Sequence, residues 1–398
     1  MHTGKITAKA LIALLPTDLI EEKARETKVN FQVKKLTGET MFQLMLMGIL
    51  DSERISLRIM EDLYKSKRFK IYANLEEGST TRHTSLSDRL ANIKVNFFEE
   101  IFNASYNELS RHFKPSKIKG YDLLRYDSTF ISAPAKLLSI GMENGSRRKE
   151  GDYGVHQMKI TIGFNGLFPN NITLYKEQSY INDDLAIGEI LLSNKIRKEE
   201  VLVFDRGIRK RGTFEQIHEQ EKLFVTRLTQ TKNYKIIRML NSVEGQKTST
   251  LKLMSDEEIY LFHGQSSKKT KMTFRLIRAN SLIDGQELLF LTNIRELTAK
   301  DITEIYRSRW DIEVFFRFLK QEMNFKHFLS YNENGIKVMV YMTLIAAMLI
   351  MIYKKQNEIS SYKRAKQLFV EALDTEIVRA IVVICGGDPD ISPLLTPT

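Results

Sequence analysis

The sequence predicts an α/β fold: a mixed five-stranded sheet with flanking helices, interrupted by a β-rich insertion and preceded by an α-helical N-terminal region. Three observations lead there. Between Tyr121 and Leu228 the apolar segments read strand, strand, strand, helix, strand, helix, strand, an order that builds a mixed sheet covered by helices. Val201–Phe204 is an unbroken apolar run, the pattern of a parallel strand buried on both faces. Turn signals fall between the candidate strands, at Asn165-Gly166, Glu244-Gly245 and Asp284-Gly285.

Residues 1–118 read as helical, in segments such as Thr40–Leu50, Ser52–Ser66 and Ser85–Glu108, with apolar spacing near the helical period at Ile55, Leu57, Ile59, Met60 and Leu63. Gly4–Lys35 suits either a helix-turn-helix or part of an amphipathic bundle, since no diagnostic turn signature separates the two. Tyr121–Asp127, His156–Gly163 and Ile172–Tyr175 follow as antiparallel strands. A helix over Asn182–Lys195, the strand Val201–Phe204, a helix over Thr213–Glu221 and the strand Leu223–Leu228 complete the five-strand pattern. Residues 230–288 form the β-rich insertion, with Thr273–Ile277 as one of its strands. Leu288–Asn293 then leads into a helix whose N-cap is Thr298, with Asp301 three residues on. Val338–Tyr353 packs behind it. Residues 355–398 read as a short helical tail with a frayed, Pro-containing end.

Composition narrows the function classes. A chain of 398 residues, 42% hydrophobic with 20 Gly and 7 Pro, is ordered and long enough for two or three domains. One cysteine, Cys385, excludes an intramolecular disulfide, and one Cys with seven His in no ligand-like spacing speaks against zinc. The apolar run Val338–Tyr353 is shorter than the roughly 20 residues of a spanning helix. There is no convincing signal peptide. The expectation is a soluble, cytoplasmic protein. The formal charge of +11 favours a polyanionic partner.

Tyr306, Arg309, Glu313 and Lys320 share one stripe of the expected helix, within an arc of about 60°, because offsets of 3, 7 and 14 nearly repeat the helical period. Ile305, Ile312, Phe316, Leu319 and Met323 form the adjoining apolar face. The stripe therefore lies where a cleft would be. Asp127 closes the first strand and Asp205 the fourth; side chains at the carboxyl ends of adjacent strands point into one crevice. With Glu313 they make three carboxylates that would repel one another without a cation. Magnesium, a hard ion with oxygen preference, suits them, and two such ions serve phosphoryl displacement. Each residue alone has a plainer reading: Asp127 as a turn residue, Glu313 as the partner of Arg309 in a surface pair, Trp310 as packing.

Taken together, Tyr306-x2-Arg309-x3-Glu313-x6-Lys320 resembles the Tyr-Arg-Glu-Lys signature of bacterial insertion-sequence transposases of the DDE type, the hairpin-forming group with a ribonuclease-H-like core. Val203-Phe204-Asp205-Arg206-Gly207, Phe224-Val225-Thr226-Arg227-Leu228, Leu291-Thr292-Asn293 and Asp127-Ser128-Thr129 agree with it. The resemblance implies a DNA transposase in which Asp127, Asp205 and Glu313 bind Mg2+, with Mn2+ as a substitute and two ions in the site. It also implies that Tyr306, Arg309 and Lys320 contact phosphates at the transposon end and that Trp310 stacks near a distorted base. The implied domains are a DNA-binding region at 1–118, core segments at 119–229 and 289–354, and the insertion at 230–288. The implied partners are terminal repeats and target DNA, bound by a homodimer associated with the nucleoid.

Basic clusters point to DNA independently. Arg206, Arg209, Lys210 and Arg211 follow the second acid; Lys268, Lys269, Lys271, Arg275 and Arg278 run through the insertion; Gly145–Lys149 forms a basic loop. Such residues supply affinity and salt sensitivity rather than sequence choice. The alternatives are a non-catalytic DNA-binding protein derived from a transposase and a glycosidase with paired carboxylates. The phosphate-gripping stripe and the basic balance disfavour the glycosidase.

Overall fold

A computed structural model describes residues 5–132, 142–143, 156–229, 233–264, 267–326, 328–330 and 332–390. Helices α1 (Ala8–Ile12), α2 (Thr17–Thr27), α3 (Gly38–Asp51), α4 (Leu57–Lys65), α5 (Lys67–Tyr72), α6 (His83–Asn92) and α7 (Val95–His112) come first. Strands β1 (Asp122–Ser132), β2 (Met142–Glu143), β3 (His156–Phe164) and β4 (Pro169–Tyr175) precede α8 (Asp183–Ser193). Then come β5 (Glu200–Phe204), α9 (Arg211–Glu219), β6 (Leu223–Leu228), β7 (Tyr234–Asn241), β8 (Leu251–Leu261), β9 (Phe274–Ser281) and β10 (Glu287–Thr292). Helices α10 (Ala299–Arg307), α11 (Trp310–Glu322), α12 (Glu333–Gln356) and α13 (Tyr362–Ile384) end the described chain. The basic loop Gly145–Lys149 and the Pro-containing end from residue 391 lie outside the described residues.

Two compact units divide the chain. One takes in residues through Lys114 and those from Phe316 onward; the other takes in Pro115–Ile131 and Gly141–Phe315. The first unit is helical. Its centre is α12, apolar on every side because α3, α6, α7 and α13 surround it. By length and hydropathy α12 qualifies as a membrane span, yet 89% of its apolar window is buried inside the protein, as the short apolar run in the sequence predicts.

Three helical expectations in this unit are revised. The segment Ser85–Glu108 is two helices, broken at Ile93, whose extended backbone (ψ 142) ends α6; Asn334 Nδ2 donates to the freed carbonyls of Leu90 and Ile93 at 3.0 and 2.7 Å. The segment Ser52–Ser66 becomes helical only at Leu57. Asn324 holds the preceding backbone extended, accepting from Ile55 N–H at 3.2 Å and donating to the Ser52 carbonyl at 2.8 Å, and Ser56 caps α4. The tail expected to be short contains the 23-residue α13, anchored by Ala365 and Phe369, both 0% exposed. Of the Gly4–Lys35 segment, α1 is only five residues long and buries Ala8 and Leu11, the behaviour of a bundle element.

The second unit is built on one sheet of order β2-β3-β1-β5-β6-β10-β9-β8-β7, with β4 on β3. The five expected strands occur as β4-β3-β1-β5-β6. β3 and β4 are antiparallel, and β1, β5 and β6 are parallel. Asn165 shapes the β3–β4 turn by accepting from the Leu167 and Phe168 N–H groups, while Gly166 supplies the positive φ of 97°. Alternation sorts the strands onto two faces. Leu124, Tyr126, Leu202, Phe204 and Phe224 pack with α8 and α9 residues; Leu123, Val201, Val203 and Val225 pack with Ile302 and Ile305 of α10.

The insertion does not form a separate β structure, and the sheet is ten-stranded rather than five. β10 pairs antiparallel with β6, and β9, β8 and β7 follow as a meander. Without β10 the backbone groups along that side of β6 would be an open edge.

This corrects part of the expected DNA-binding surface. Arg275 is buried in the sheet, 1% exposed, and forms a two-pronged pair with Asp256 at 2.9 and 2.8 Å. A further nitrogen donates to the Leu297 carbonyl at 2.6 Å, just before α10. Arg278 is bound to Glu287 at 2.6 Å. Asp256→Ala strands a buried guanidinium and should destabilise the protein by about 3–5 kcal/mol. Urea denaturation should show a lowered midpoint for it and none for the exposed Lys271→Ala.

Candidate active site

Parallel strands β1 and β5 run in register from Asp122↔Glu200 to Tyr126↔Phe204. The next residue on each is an acid. Asp205 follows the last residue of β5, but Asp127, expected to close the first strand, lies inside β1, which runs on to Ser132 with β3 flanking it on the side away from β5; the two acids stand side by side on neighbouring strands, about 4.8 Å apart. Local hydrogen bonds aim both. The Ser128 N–H donates to Asp127 Oδ1 at 2.8 Å, and the Gly207 N–H to Asp205 Oδ1 at 2.7 Å. Thr226 Oγ1, on β6, donates to the Phe204 and Asp205 carbonyls, fixing the end of β5.

Glu313 arrives from a helix pair, not from the single helix that the stripe predicts. Thr298 and Asp301 do form a reciprocal cap that starts α10. The helix stops at Arg307, however, and the chain passes through short i→i−3 turns, with Arg309 N–H bonded to the Tyr306 carbonyl and Asp311 N–H to that of Ser308. The cause is Arg125, 4% exposed in the middle of β1. Its Nε donates to the Ser308 carbonyl at 2.7 Å, and its Nη2 pairs with Asp311 at 3.0 Å. α11 then starts afresh at Trp310.

Across this junction the expected stripe still converges. Arg309 links two acids, with Nη2 to Glu313 Oε1 at 2.5 Å and Nη1 to Asp127 Oδ2 at 3.7 Å. Its guanidinium carbon also lies 5.8 Å from the Tyr306 ring centre. Arg227 of β6, which site prediction passed over, approaches the same ring at 6.0 Å. The Nε atoms of Arg227 and Arg309 are buried without a hydrogen-bond partner, donors suited to an anion such as a phosphate. Beside Tyr306 a cavity of about 630 Å³ is lined by Arg227, Leu251, Phe290 and Arg307 among others.

Burial, first, and then the charges of Asp205 and Asp183 push the Asp127 carboxyl up to about 7, against the pull of the Ser128 N–H. Asp205 is raised for the same leading reason, burial. Asp127 nonetheless keeps 22% of its side chain exposed, enough to be reached. Among the described residues no three acidic, histidine or cysteine side chains are drawn together closely enough to hold a metal ion as they stand; the Arg309 guanidinium lies between Asp127 and Glu313. The donor set still fits a hard divalent cation. It offers carboxylate oxygens only, in a shielded place where their mutual repulsion is incompletely offset.

Of the other expected residues, Trp310 is 53% exposed at the start of α11 and is not a core side chain. Arg206, Arg209 and Lys210 are exposed, whereas Arg211 is partly covered, 5.9 Å from the Phe214 ring centre. Lys320 is half-buried on α11, beyond the point where the units divide. Arg125 was legible only as a charge inside an apolar strand, and Arg227 likewise.

A model of the transposase DDE domain matches residues 118–349, more than half of the chain. The protein belongs to the DDE transposase family. Two relatives described as transposases agree. y4zB of Sinorhizobium fredii is 26% identical over 69% of this chain and 72% of its own length. The protein of insertion element IS4SA from Synechocystis is 25% identical over 82% of this chain and 85% of its own. Among solved structures, a piggyBac transposase synaptic complex with hairpin DNA gives a TM-score of 0.45 at 9% identity, covering 94% of this chain and 82% of that one. The matched domain makes the protein a DNA transposase, an enzyme of metal-dependent DNA cleavage and strand transfer. Because Arg125 holds the junction that presents Arg309 and Glu313 to Asp127, Arg125→Leu should cut DNA cleavage about 10²-fold by misplacing the third acid. The check is a cleavage time course on a transposon-end duplex beside a circular dichroism spectrum that stays native.

Proposed function

We propose that Asp127, Asp205 and Glu313 are the divalent-ion ligands of this transposase and that the ion is Mg2+, with two ions in the working site and Mn2+ able to replace them. One observation carries the reading. Asp127, inside β1, and Asp205, just after the adjacent parallel β5, stand side by side, and Arg309 bridges Asp127 to Glu313. When bound, such ions activate the attacking oxygen and stabilise the leaving oxygen of an in-line phosphoryl displacement. The strand order β4-β3-β1-β5-β6 supports a ribonuclease-H-like core, extended by the insertion.

The chain's own residues then divide the remaining work. Arg309, which bridges Asp127 and Glu313, would grip a phosphate of the cleaved end, with Tyr306 and Lys320 as further phosphate contacts. Arg206, Arg209, Lys210 and Arg211, beside the second acid, hold DNA backbone. Trp310 offers an exposed ring to a base unstacked at the transposon end, and the reaction proceeds through a DNA hairpin. Residues 1–118 form the DNA-binding region, residues 119–229 and 289–354 the catalytic core, and 230–288 the insertion. The terminal repeats are joined in a homodimer, within the bacterial cytoplasm.

Asp127→Ala, Asp205→Ala and Glu313→Ala should each abolish Mg2+-dependent nicking of a transposon-end duplex while end binding persists in a mobility-shift assay. Undiminished nicking by any of them removes that residue from the site. A purely DNA-binding protein would show no nicking before mutation either. Trp310→Ala should slow hairpin formation more than the first nick on a denaturing gel. Equal loss of both steps would mark Trp310 as a packing residue.

A further inference from the structure

The loop between α2 and α3 is tied down on both flanks by other parts of the helical unit. Arg89 of α6 donates to the Val29 and Leu36 carbonyls, both at 2.9 Å. Lys94 Nζ donates to the Thr27 carbonyl at 2.8 Å. Asn30 fastens the loop to α3. Its Oδ1 accepts from the Gly38 N–H at 2.7 Å, and its Nδ2 donates to the Glu39 carboxylate at 2.8 and 2.9 Å. Val29 and Leu36 are buried, and a Cβ added at Gly38 would lie 2.5 Å from Val29 Cγ1, so glycine there lets Val29 seat. Lys28 and Gln32, on either side of the tip, take the left-handed conformation at φ 52° and 58°, which only a well-held chain imposes on such residues.

Between these anchors Phe31 is 74% exposed, more than Trp310 at 53%. A phenylalanine whose neighbours are pinned and whose ring stays in water does no packing within this chain. Lys28, Lys34 and Lys35 beside it are exposed and form no ion pair among the described residues. The neighbouring acids are engaged, Glu26 with Lys23 at 2.7 Å and Glu39 with Asn30. Three unpaired ammonium groups around an uncovered ring suit a polyanion that also offers apolar surface. Duplex DNA offers both, phosphates along its strands and sugars and base steps in its minor groove, where apolar side chains enter. A second copy of the chain would bring the same lysines to a two-fold contact, where like charges repel.

We propose that residues 28–35 form a duplex-DNA contact of this transposase, with Phe31 entering the minor groove and Lys28, Lys34 and Lys35 holding the flanking phosphates. The inference rests on the reading of residues 1–118 as a DNA-binding region and names one surface within it. An ammonium on a phosphate and a ring against sugars carry no base code. The loop therefore grips a transposon end and an unrelated duplex alike, supplying affinity while other residues supply sequence choice.

The test uses the full-length protein with a transposon-end duplex and with a duplex of scrambled sequence. Phe31→Ala should weaken binding to both about tenfold and keep the parent's salt slope, while Phe31→Trp binds as the parent does. Its melting temperature should equal the parent's, because the ring is already in water. The triple variant K28Q/K34Q/K35Q should lower the slope of log affinity against log salt by about one for each lysine. In hydrogen exchange, residues 28–35 should gain protection when either duplex is added. Parental affinity in Phe31→Ala overturns the inference, and so does a loss confined to the transposon end, which would mean that the loop reads sequence. Protection elsewhere in residues 1–118 but not at 28–35 overturns the inference and leaves the regional reading standing. With no protection anywhere in residues 1–118, both fail. Protection at 28–35 that grows with protein concentration in the absence of DNA assigns the loop to a contact between copies and also overturns it.

Discussion

Arg125 sits inside β1, two residues before Asp127, and its Nε binds the carbonyl of Ser308, where α10 gives way to α11. A guanidinium buried this deeply needs several acceptors. It finds them in the Ser308 carbonyl, the Asp311 carboxylate and the Leu123 carbonyl. That requirement ties the strand bearing the first acid to the helix bearing the third. The approach of Arg309 to Asp127 and the placing of Tyr306 between two guanidinium groups both depend on this junction.

Asp127, Asp183 and Glu313 carry negative charge that the fold balances in two ways. Arg309 spans Asp127 and Glu313, and Lys159 binds Asp183. The two counter-ions differ in exposure. Lys159 is sealed in the sheet at 1% exposed, whereas Arg309 keeps 15% of its side chain in reach of solvent. A sealed counter-ion holds one arrangement; a reachable one is able to exchange partners when phosphate or a divalent ion arrives. The unpartnered Nε atoms of Arg309 and Arg227 agree with a surface shaped for an anion that is part of the working complex.

The strands and the acids were largely legible in the sequence. Val201–Phe204 read as a buried parallel strand because all its side chains are apolar, and Leu223–Leu228, apolar apart from Thr226 and Arg227, read as a further strand; β5 and β6 occupy those places. Asp127 and Asp205 were visible as acids closing apolar runs, and the spacing from Tyr306 to Glu313 marked the third. The helix break at Ser308 was not visible, since no Pro or Gly interrupts the segment; its cause lies 183 residues away in Arg125. The burial of Arg275 was hidden similarly, because its partner Asp256 is a neighbour across a hairpin and not along the chain.

Local chemistry in the sequence determined the acid that closes β5, the capped start of α10, the glycine turns and the family signature, because each depends on residues a few positions apart. Tertiary structure alone decided which charges are counter-ions and which are available. That sorting depends on contacts between segments far apart in sequence, as Lys159 with Asp183, Arg275 with Asp256, and Arg125 with the α10–α11 junction demonstrate. It likewise decided that the insertion would lengthen the core sheet, since the open edge of β6 offers backbone hydrogen bonds that any adjoining strand of suitable register is able to satisfy.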